Sequence, residues 1–151
     1  MIYGIGNDVL EIERLRRLLS GRQAEAFMKR ILTPAERDIA AGRGKRMAEF
    51  VSGRFAAKEA VSKAFGCGIG AVMGFHDIEV LPDPSGRPVA TLSSQAWERL
   101  QLPCGQRYQI HLSITHQTEL AAAFAIVEQV HEVDGKDISG KCTGDPDEDK
   151  D

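Results

Sequence analysis

Hydrophobic positions along the chain recur at two spacings, which predict a mixture of strands and helices. Alternation at period two predicts strands at residues 2–9, 76–81 and 107–115, a turn after residue 81 predicts a partner strand at 87–92, and a continuous apolar run predicts one at 120–127. Helical periodicity predicts helices at residues 11–20, 22–32, 34–41 and 45–65, and a short one from Ser93 or Ser94 to about Leu102. Because residues 107–115 and 120–127 are joined by a short turn, they are expected to form a hairpin.

The first predicted strand carries two glycines on the same face as an acid. Gly4, Gly6 and Asp8 alternate with larger residues on the other face. Glycine weakens a strand and often marks a place where another group approaches closely. This pattern predicts open space leading to the Asp8 carboxylate.

Turn and cap residues set several boundaries. Thr33-Pro34-Ala35-Glu36 combines a capping residue, a proline suited to the first helical position and the acid of a capping box. Pro82-Asp83-Pro84-Ser85-Gly86 is typical of a turn between two strands. The glycine-rich stretch 66–70 follows a helix instead of preceding one, so a helix C-cap is favoured over a phosphate loop.

The long predicted helix places two cations among hydrophobic residues. One stripe of the helical wheel holds Met47, Phe50, Val51, Ala57, Val61, Ala64 and Phe65. Arg54 and Lys58 fall inside this stripe. An unpaired buried charge is costly, so each side chain must reach solvent, pair with an acid or bind a ligand. The pattern by itself gives the first outcome the same weight as the others.

Glu59 and Lys63 lie on another part of the same helix, beside the small residues Ser52 and Ala56. Their spacing of four residues favours an ordinary surface ion pair. The alternative is that Glu59 and Asp8 together hold Mg²⁺, which prefers oxygen ligands and often binds through one or two carboxylates and substrate phosphates. Spacing along the chain leaves both readings open.

Charge and cysteine content narrow the classes of protein. The chain has 151 residues and a net charge of −3. Residues 129–151 hold eight acids and three lysines, a net of −5, which leaves +2 for residues 1–128. We therefore expect one domain at 1–128 and an acidic flexible tail at 129–151. A body charge of +2 is too weak to indicate a nucleic-acid partner.

Two further features of the sequence bear on where the protein works. It has three widely spaced cysteines, and its longest apolar run is the eight residues Leu120–Val127. The cysteines form no zinc-type pair and no disulfide framework, so a reducing cytoplasmic environment is expected. The apolar run is too short to cross a bilayer, so no membrane association is expected.

Three segments resemble the motifs of one enzyme family, the phosphopantetheinyl transferases. Gly4-Ile5-Gly6-Asn7-Asp8 is similar to the N-terminal motif of the family, and residues 55–63, FAAKEAVSK, are similar to the second. His111-Leu112-Ser113-Ile114-Thr115-His116 resembles the final motif of one branch, the bacterial holo-[acyl-carrier-protein] synthases. The resemblance covers about residues 1–128.

This resemblance implies an α+β fold in which an antiparallel sheet packs against a long central helix, and a homotrimer whose active sites lie between subunits. It implies transfer of 4′-phosphopantetheine from coenzyme A to a serine of an apo acyl carrier protein, with release of adenosine 3′,5′-bisphosphate. The alternative is a module of the same fold that binds coenzyme A or the carrier without catalysis.

The resemblance also implies roles for single residues. Asp8 and Glu59 would bind Mg²⁺, and Lys63 would contact the phosphates and assist the leaving group, so these three form the expected catalytic set. The expected coenzyme A contacts are Lys45, Arg46, Arg54, Lys63, His111 and Thr115. Arg14 would contact the acidic carrier protein.

Overall fold

A computed structural model of the chain describes residues 1–130. Its strands are β1 (Ile2–Glu11), β2 (Ile78–Pro82), β3 (Pro88–Leu92), β4 (Arg107–His116) and β5 (Leu120–Val130). Its helices are α1 (Ile12–Ser20), α2 (Ala24–Ile31), α3 (Pro34–Ala41), α4 (Met47–Ala64) and α5 (Ser94–Leu100). Every helix and strand predicted within residues 1–128 is present, which confirms the α+β class.

The long helix begins two residues later than predicted. Lys45 and Arg46 lie in a separate 3₁₀ turn, Gly44–Arg46, which precedes α4. Gly44 has a φ of 52°, in the left-handed region that glycine enters without steric cost. The chain therefore changes direction at Gly44 before α4 starts.

Three strands form an antiparallel sheet in the order β1-β5-β4, and β2 and β3 form a separate antiparallel hairpin. Helix α4 packs against one face of the larger sheet. Small residues predominate where they meet: Ala56, Ala57, Ala60 and Ala64 on α4, with Ala123 and Ala125 on β5. The short side chains let the backbone of the helix lie close to the sheet.

The two glycines of β1 make room for α4. A Cβ atom on Gly6 would lie 2.0 Å from the carbonyl oxygen of Ala60, and one on Gly4 would lie 2.0 Å from that of Ala64. The close approach expected from these glycines is confirmed. The expectation of open space beside them is wrong, because the helix backbone fills it.

Helix α3 begins with the predicted capping box. The Thr33 hydroxyl accepts from the Glu36 N–H at 3.3 Å, and the Glu36 carboxylate accepts from the Thr33 N–H at 2.8 Å. Glu36 is completely buried, and its other oxygen accepts from the Val80 N–H at 2.8 Å. The capping box therefore connects α3 to β2 as well as fixing the start of α3.

Lys58 does not reach solvent. Its ammonium is completely buried and donates to Glu36 at 2.6 Å, to the Ile31 carbonyl at 2.8 Å and to the Phe75 carbonyl at 2.9 Å. All three of its protons have an acceptor, as a buried ammonium requires. The charge in the apolar stripe is thus accommodated by pairing.

Strand β5 continues to Val130, two residues past the end of the predicted domain. The rest of the predicted acidic tail lies outside the described residues. Within residues 1–130, no helix is both long enough and apolar enough to cross a membrane.

Candidate active site

Asp8 and Lys63 meet where β1 lies across the last turns of α4. The Lys63 ammonium donates to the Asp8 carboxylate at 2.8 Å and to the Asn7 carbonyl at 3.1 Å. Asp8 is mostly buried while Lys63 stays half exposed. The ion pairs of the described residues join Lys63 to Asp8 and none joins it to Glu59, so the surface pair favoured by the helical spacing is not formed.

Glu59 lies close enough to Asp8 for their charges to interact. Partial burial raises the pKa of the Glu59 carboxyl, the negative charge of Asp8 raises it further, and the positive charge of Lys63 opposes the rise. Two carboxylates held beside each other at the edge of solvent repel one another unless a cation lies near. The fold therefore brings Asp8, Glu59 and Lys63 into one cluster.

The donor set of this cluster fits Mg²⁺. Asp8 and Glu59 supply two carboxylates, which are the hard oxygen ligands that Mg²⁺ takes from proteins when substrate phosphates complete its coordination. The ammonium of Lys63, already in contact with Asp8, adds a positive charge that suits phosphate oxygens.

A cationic cleft of about 220 Å³ lies near the start of α4. Residues of α4 and the turn before it supply its polar lining: Arg43, Arg46, Glu49 and Arg54, with Phe50 between them. Pro82, Gly86 and Pro88 close it from the β2–β3 hairpin, and Ile114 and His116 close it from β4. With three arginines and one glutamate, the cleft is suited to an anionic ligand.

Arg46 and Arg54, both predicted to contact coenzyme A, line this cleft. Lys45 is exposed on the 3₁₀ turn beside them. His111 and Thr115 lie on the exposed face of β4, where the Nε2 atom of His111 is 3.0 Å from the Oε2 atom of Glu128. Side chains alternate along a strand, so these two point away from the face of Ile114 and His116. A single chain does not bring His111 and Thr115 to the cleft.

Arg14 lies on the exposed surface of α1. Its neighbours Arg16 and Arg17 both pair with Glu13, at 2.5 and 3.4 Å. None of the ion pairs in the described residues includes Arg14. Its charge is therefore available at the surface of the helix.

Sequence reasoning missed Arg43 and Phe50 as cleft residues and gave His116 no role. Phe50 precedes Arg54 by four residues, a spacing that places two side chains of a helix in contact. That signal was present in the sequence. The positions of Arg43 and His116 follow from how a turn and a strand pack around α4, so no local pattern identifies them.

Three comparisons agree on the family. The family model of the 4′-phosphopantetheinyl transferase superfamily matches residues 4–125. A holo-[acyl-carrier-protein] synthase of Bacillus cytotoxicus is 45% identical over 129 residues, which are 85% of this chain and 97% of that protein.

Solved structures give the same result. A holo-(acyl-carrier-protein) synthase of Bacillus anthracis, crystallised with CoA (3′,5′-ADP), is 44% identical with a TM-score of 0.72 and covers 86% of this chain and 99% of its own. The Neisseria meningitidis synthase is 34% identical with a TM-score of 0.75, covering 85% and 99% of the two chains. A family model across most of the chain and relatives this similar show that the chain belongs to the 4′-phosphopantetheinyl transferase superfamily, in the branch of the holo-[acyl-carrier-protein] synthases.

Proposed function

We propose that this protein transfers the 4′-phosphopantetheine group of coenzyme A to a serine of an apo acyl carrier protein. The observation that carries the proposal is the cluster of Asp8, Glu59 and Lys63, in which Asp8 and Lys63 are 55 positions apart in the chain. These are the residues of the two motifs that resemble the family, and close relatives carry the name holo-[acyl-carrier-protein] synthase. The serine oxygen forms a bond to the phosphorus that carries the pantetheine arm, and the bond from that phosphorus to the bridging oxygen breaks, which releases adenosine 3′,5′-bisphosphate.

Asp8 and Glu59 are proposed to hold Mg²⁺. The ion would neutralise diphosphate charge as it develops on the leaving group. Lys63 binds the same phosphates from its position beside Asp8 and stabilises the departing phosphate. We also assign the serine proton to Glu59, directly or through a water molecule, because a carboxylate in this cluster is an ordinary acceptor for a proton released beside the diphosphate.

Arg46 and Arg54 are proposed to bind the nucleotide end of coenzyme A in the cationic cleft, with Lys45 beside them. His111 and Thr115 are proposed to contact the nucleotide from a neighbouring subunit. Their support is geometric: they lie on the face of β4 opposite to the one that lines the cleft. A second copy of the chain can supply that face where a single chain cannot.

A homotrimer is proposed for two reasons. His111 and Thr115 face away from the cleft of their own chain, and the outer face of β1 and β5 is exposed. This outer face carries large apolar side chains that water reaches in the single chain: Ile5, Val9, Leu120 and Phe124. A contiguous apolar surface of this kind usually marks an interface.

The carrier protein is proposed to dock on α1 through Arg14, whose charge no carboxylate of the described residues neutralises. An acidic helix of a carrier complements such a site. We place the reaction in the cytoplasm, since Cys67 and Cys104 are free thiols, as a reducing compartment keeps them.

Mass spectrometry of the carrier tests the activity. Incubation with coenzyme A, apo carrier and Mg²⁺ is expected to add one phosphopantetheine mass to the carrier, and EDTA is expected to prevent it. Asp8→Ala and Glu59→Ala are expected to lower turnover at least about 100-fold while circular dichroism keeps its folded signal. A protein that binds coenzyme A and never changes the carrier mass would instead be a non-catalytic binding module.

A further inference from the structure

Phe50 holds two arginines of the cleft against its ring. The guanidinium carbon of Arg54 lies 4.3 Å from the ring centroid, and that of Arg43 lies 5.0 Å from it. Both distances are within the range of a cation–π contact. Arg54 is one helical turn beyond Phe50, whereas Arg43 comes from the turn before α4, so the ring joins two separate segments of chain.

The two arginines carry positive charge that the described residues do not neutralise. Arg54 is only 8% exposed, its Nε has no hydrogen-bond partner in residues 1–130, and neither arginine forms an ion pair there. Burial lowers the pKa of the Arg54 guanidinium, Glu36 opposes that effect, and the charge of Arg43 lowers the pKa further. The ring thus keeps two cations together that repel each other.

The remaining charges of the cleft leave this surplus in place. Arg46 adds a third guanidinium, and among the cleft-lining residues of 1–130 the only acid is Glu49, whose Oε2 lies 3.8 Å from His116 Nε2. A buried donor without a partner and adjacent unpaired cations are both satisfied when an anion with several oxygens enters.

We propose that Phe50 is a positioning residue that aligns Arg43 and Arg54 to bind the ribose phosphate of coenzyme A, with Arg43 as a further binding residue. The choice of ligand rests on the proposed function. A phosphate monoester carries close to two negative charges at neutral pH and accepts from several N–H groups at once, which matches two adjacent guanidinium groups. The ring face contributes by fixing their directions before the ligand arrives.

Calorimetric titration with adenosine 3′,5′-bisphosphate tests the role of the ring. Phe50→Leu keeps an apolar side chain but removes the π face, and is expected to weaken binding about 3- to 30-fold. Phe50→Tyr keeps the face and is expected to bind within about twofold of the parent protein. Phe55→Leu is the matched control, because Phe55 is a partly buried ring of α4 that contacts Phe75 instead of an arginine.

Turnover separates positioning from a general loss of structure. Phe50→Leu is expected to raise the KM for coenzyme A by the same factor while kcat stays within about twofold. Dephospho-coenzyme A, which lacks the ribose phosphate, is expected to show no such rise. The proposal would be overturned if Phe50→Leu raised the KM equally for coenzyme A and dephospho-coenzyme A. It would also be overturned if Phe50→Tyr bound the bisphosphate as weakly as Phe50→Leu.

Arg43→Gln gives an independent test that leaves the core intact. It is expected to weaken binding of the bisphosphate about tenfold, to leave adenosine 5′-monophosphate unaffected, and to lose most of its effect in a Phe50→Leu background. Effects that simply multiply would contradict the role of the ring. Binding without carrier modification would count against the proposed function alone, and wild-type affinity in Phe50→Leu would count against this inference alone.

Discussion

At the residue scale, the environment of Glu59 combines three effects of different sign. Burial and the charge of Asp8 raise its pKa, and the charge of Lys63 lowers it. The protonation of Glu59 is thus sensitive to both of its charged neighbours. Its titration in the metal-free protein reports the geometry directly.

We expect Asp8→Asn to lower the pKa of Glu59, because it removes a repelling negative charge, and Lys63→Met to raise it, because it removes an attracting positive charge. Burial is unchanged in both variants. Carboxyl ¹³C NMR titration of the metal-free protein measures the shifts. Shifts of the same sign, or none, would mean that the three side chains do not share one site.

Gly6 is a second residue whose surroundings allow no alternative. A Cβ there would lie 2.0 Å from the Ala60 carbonyl oxygen and 2.6 Å from the Ala64 amide nitrogen, both backbone atoms that cannot move aside alone. We expect Gly6→Ala to lower the free energy of unfolding by about 3 kcal/mol or more.

Gly70→Ala is the control for this substitution, since a Cβ at Gly70 meets no atom within 4 Å and its φ is not in the left-handed region. It is expected to leave stability nearly unchanged. Thermal and urea unfolding of the two variants give the comparison, and similar midpoints would refute the close packing of β1 on α4.

At the scale of elements, the buried pair of Lys58 and Glu36 connects four parts of the fold. Lys58 projects from α4 and binds the last carbonyl of α2, and Glu36 joins the start of α3 to β2. Because Glu59 follows Lys58 directly, the contacts of Lys58 also fix the position of the turn of α4 that carries Glu59.

We expect Lys58→Met to lower the free energy of unfolding by about 3–5 kcal/mol, because it leaves the Glu36 carboxylate buried without its cation. Lys29→Met removes an exposed ion pair with Glu25 and serves as the control with no expected change. Chemical denaturation measures both. Near-equal stability of the two variants would show that the ammonium is not needed in the core.

At the scale of the whole molecule, the exposed face of the three-stranded sheet has an apolar part and a polar part. The outer face of β1 and β5 is apolar at Ile5, Val9 and Phe124, while the exposed face of β4 is polar at His111 and Thr115. The exposed apolar residues of β1 and β5, and the proposed coenzyme A contacts on β4 that face away from the cleft, would both be explained by association of several copies of the chain. The proposed trimer accounts for both.

Phe124→Glu is therefore expected to shift sedimentation velocity from trimer to monomer, because it places a charge in the centre of the apolar face. It is also expected to lower transferase activity as the shared site is lost. Val89→Glu is the control, since Val89 is an exposed apolar residue on the other sheet. A trimeric Phe124→Glu protein would exclude this face as the interface.

The strands and helices were predictable from sequence because they depend on local chemistry, whereas the motif residues were identified by their resemblance to a family. Alternation identified β4, an apolar run after a short turn identified β5, the capping box identified the start of α3, and the glycines of β1 indicated a close approach. What filled the space beside those glycines was not predictable, because the approaching helix is more than 50 residues away in the chain.

By itself, the sequence determined the order of strands and helices, since these depend on residue type and short-range spacing, and its three motifs indicated the family by resemblance. Only the tertiary structure decided which acid meets which cation. Lys63 contacts Asp8 instead of Glu59, Lys58 contacts Glu36, and Arg43 meets Phe50. Contacts of this kind depend on how α4 packs between the sheet and the smaller helices, and that packing is a property of the whole chain.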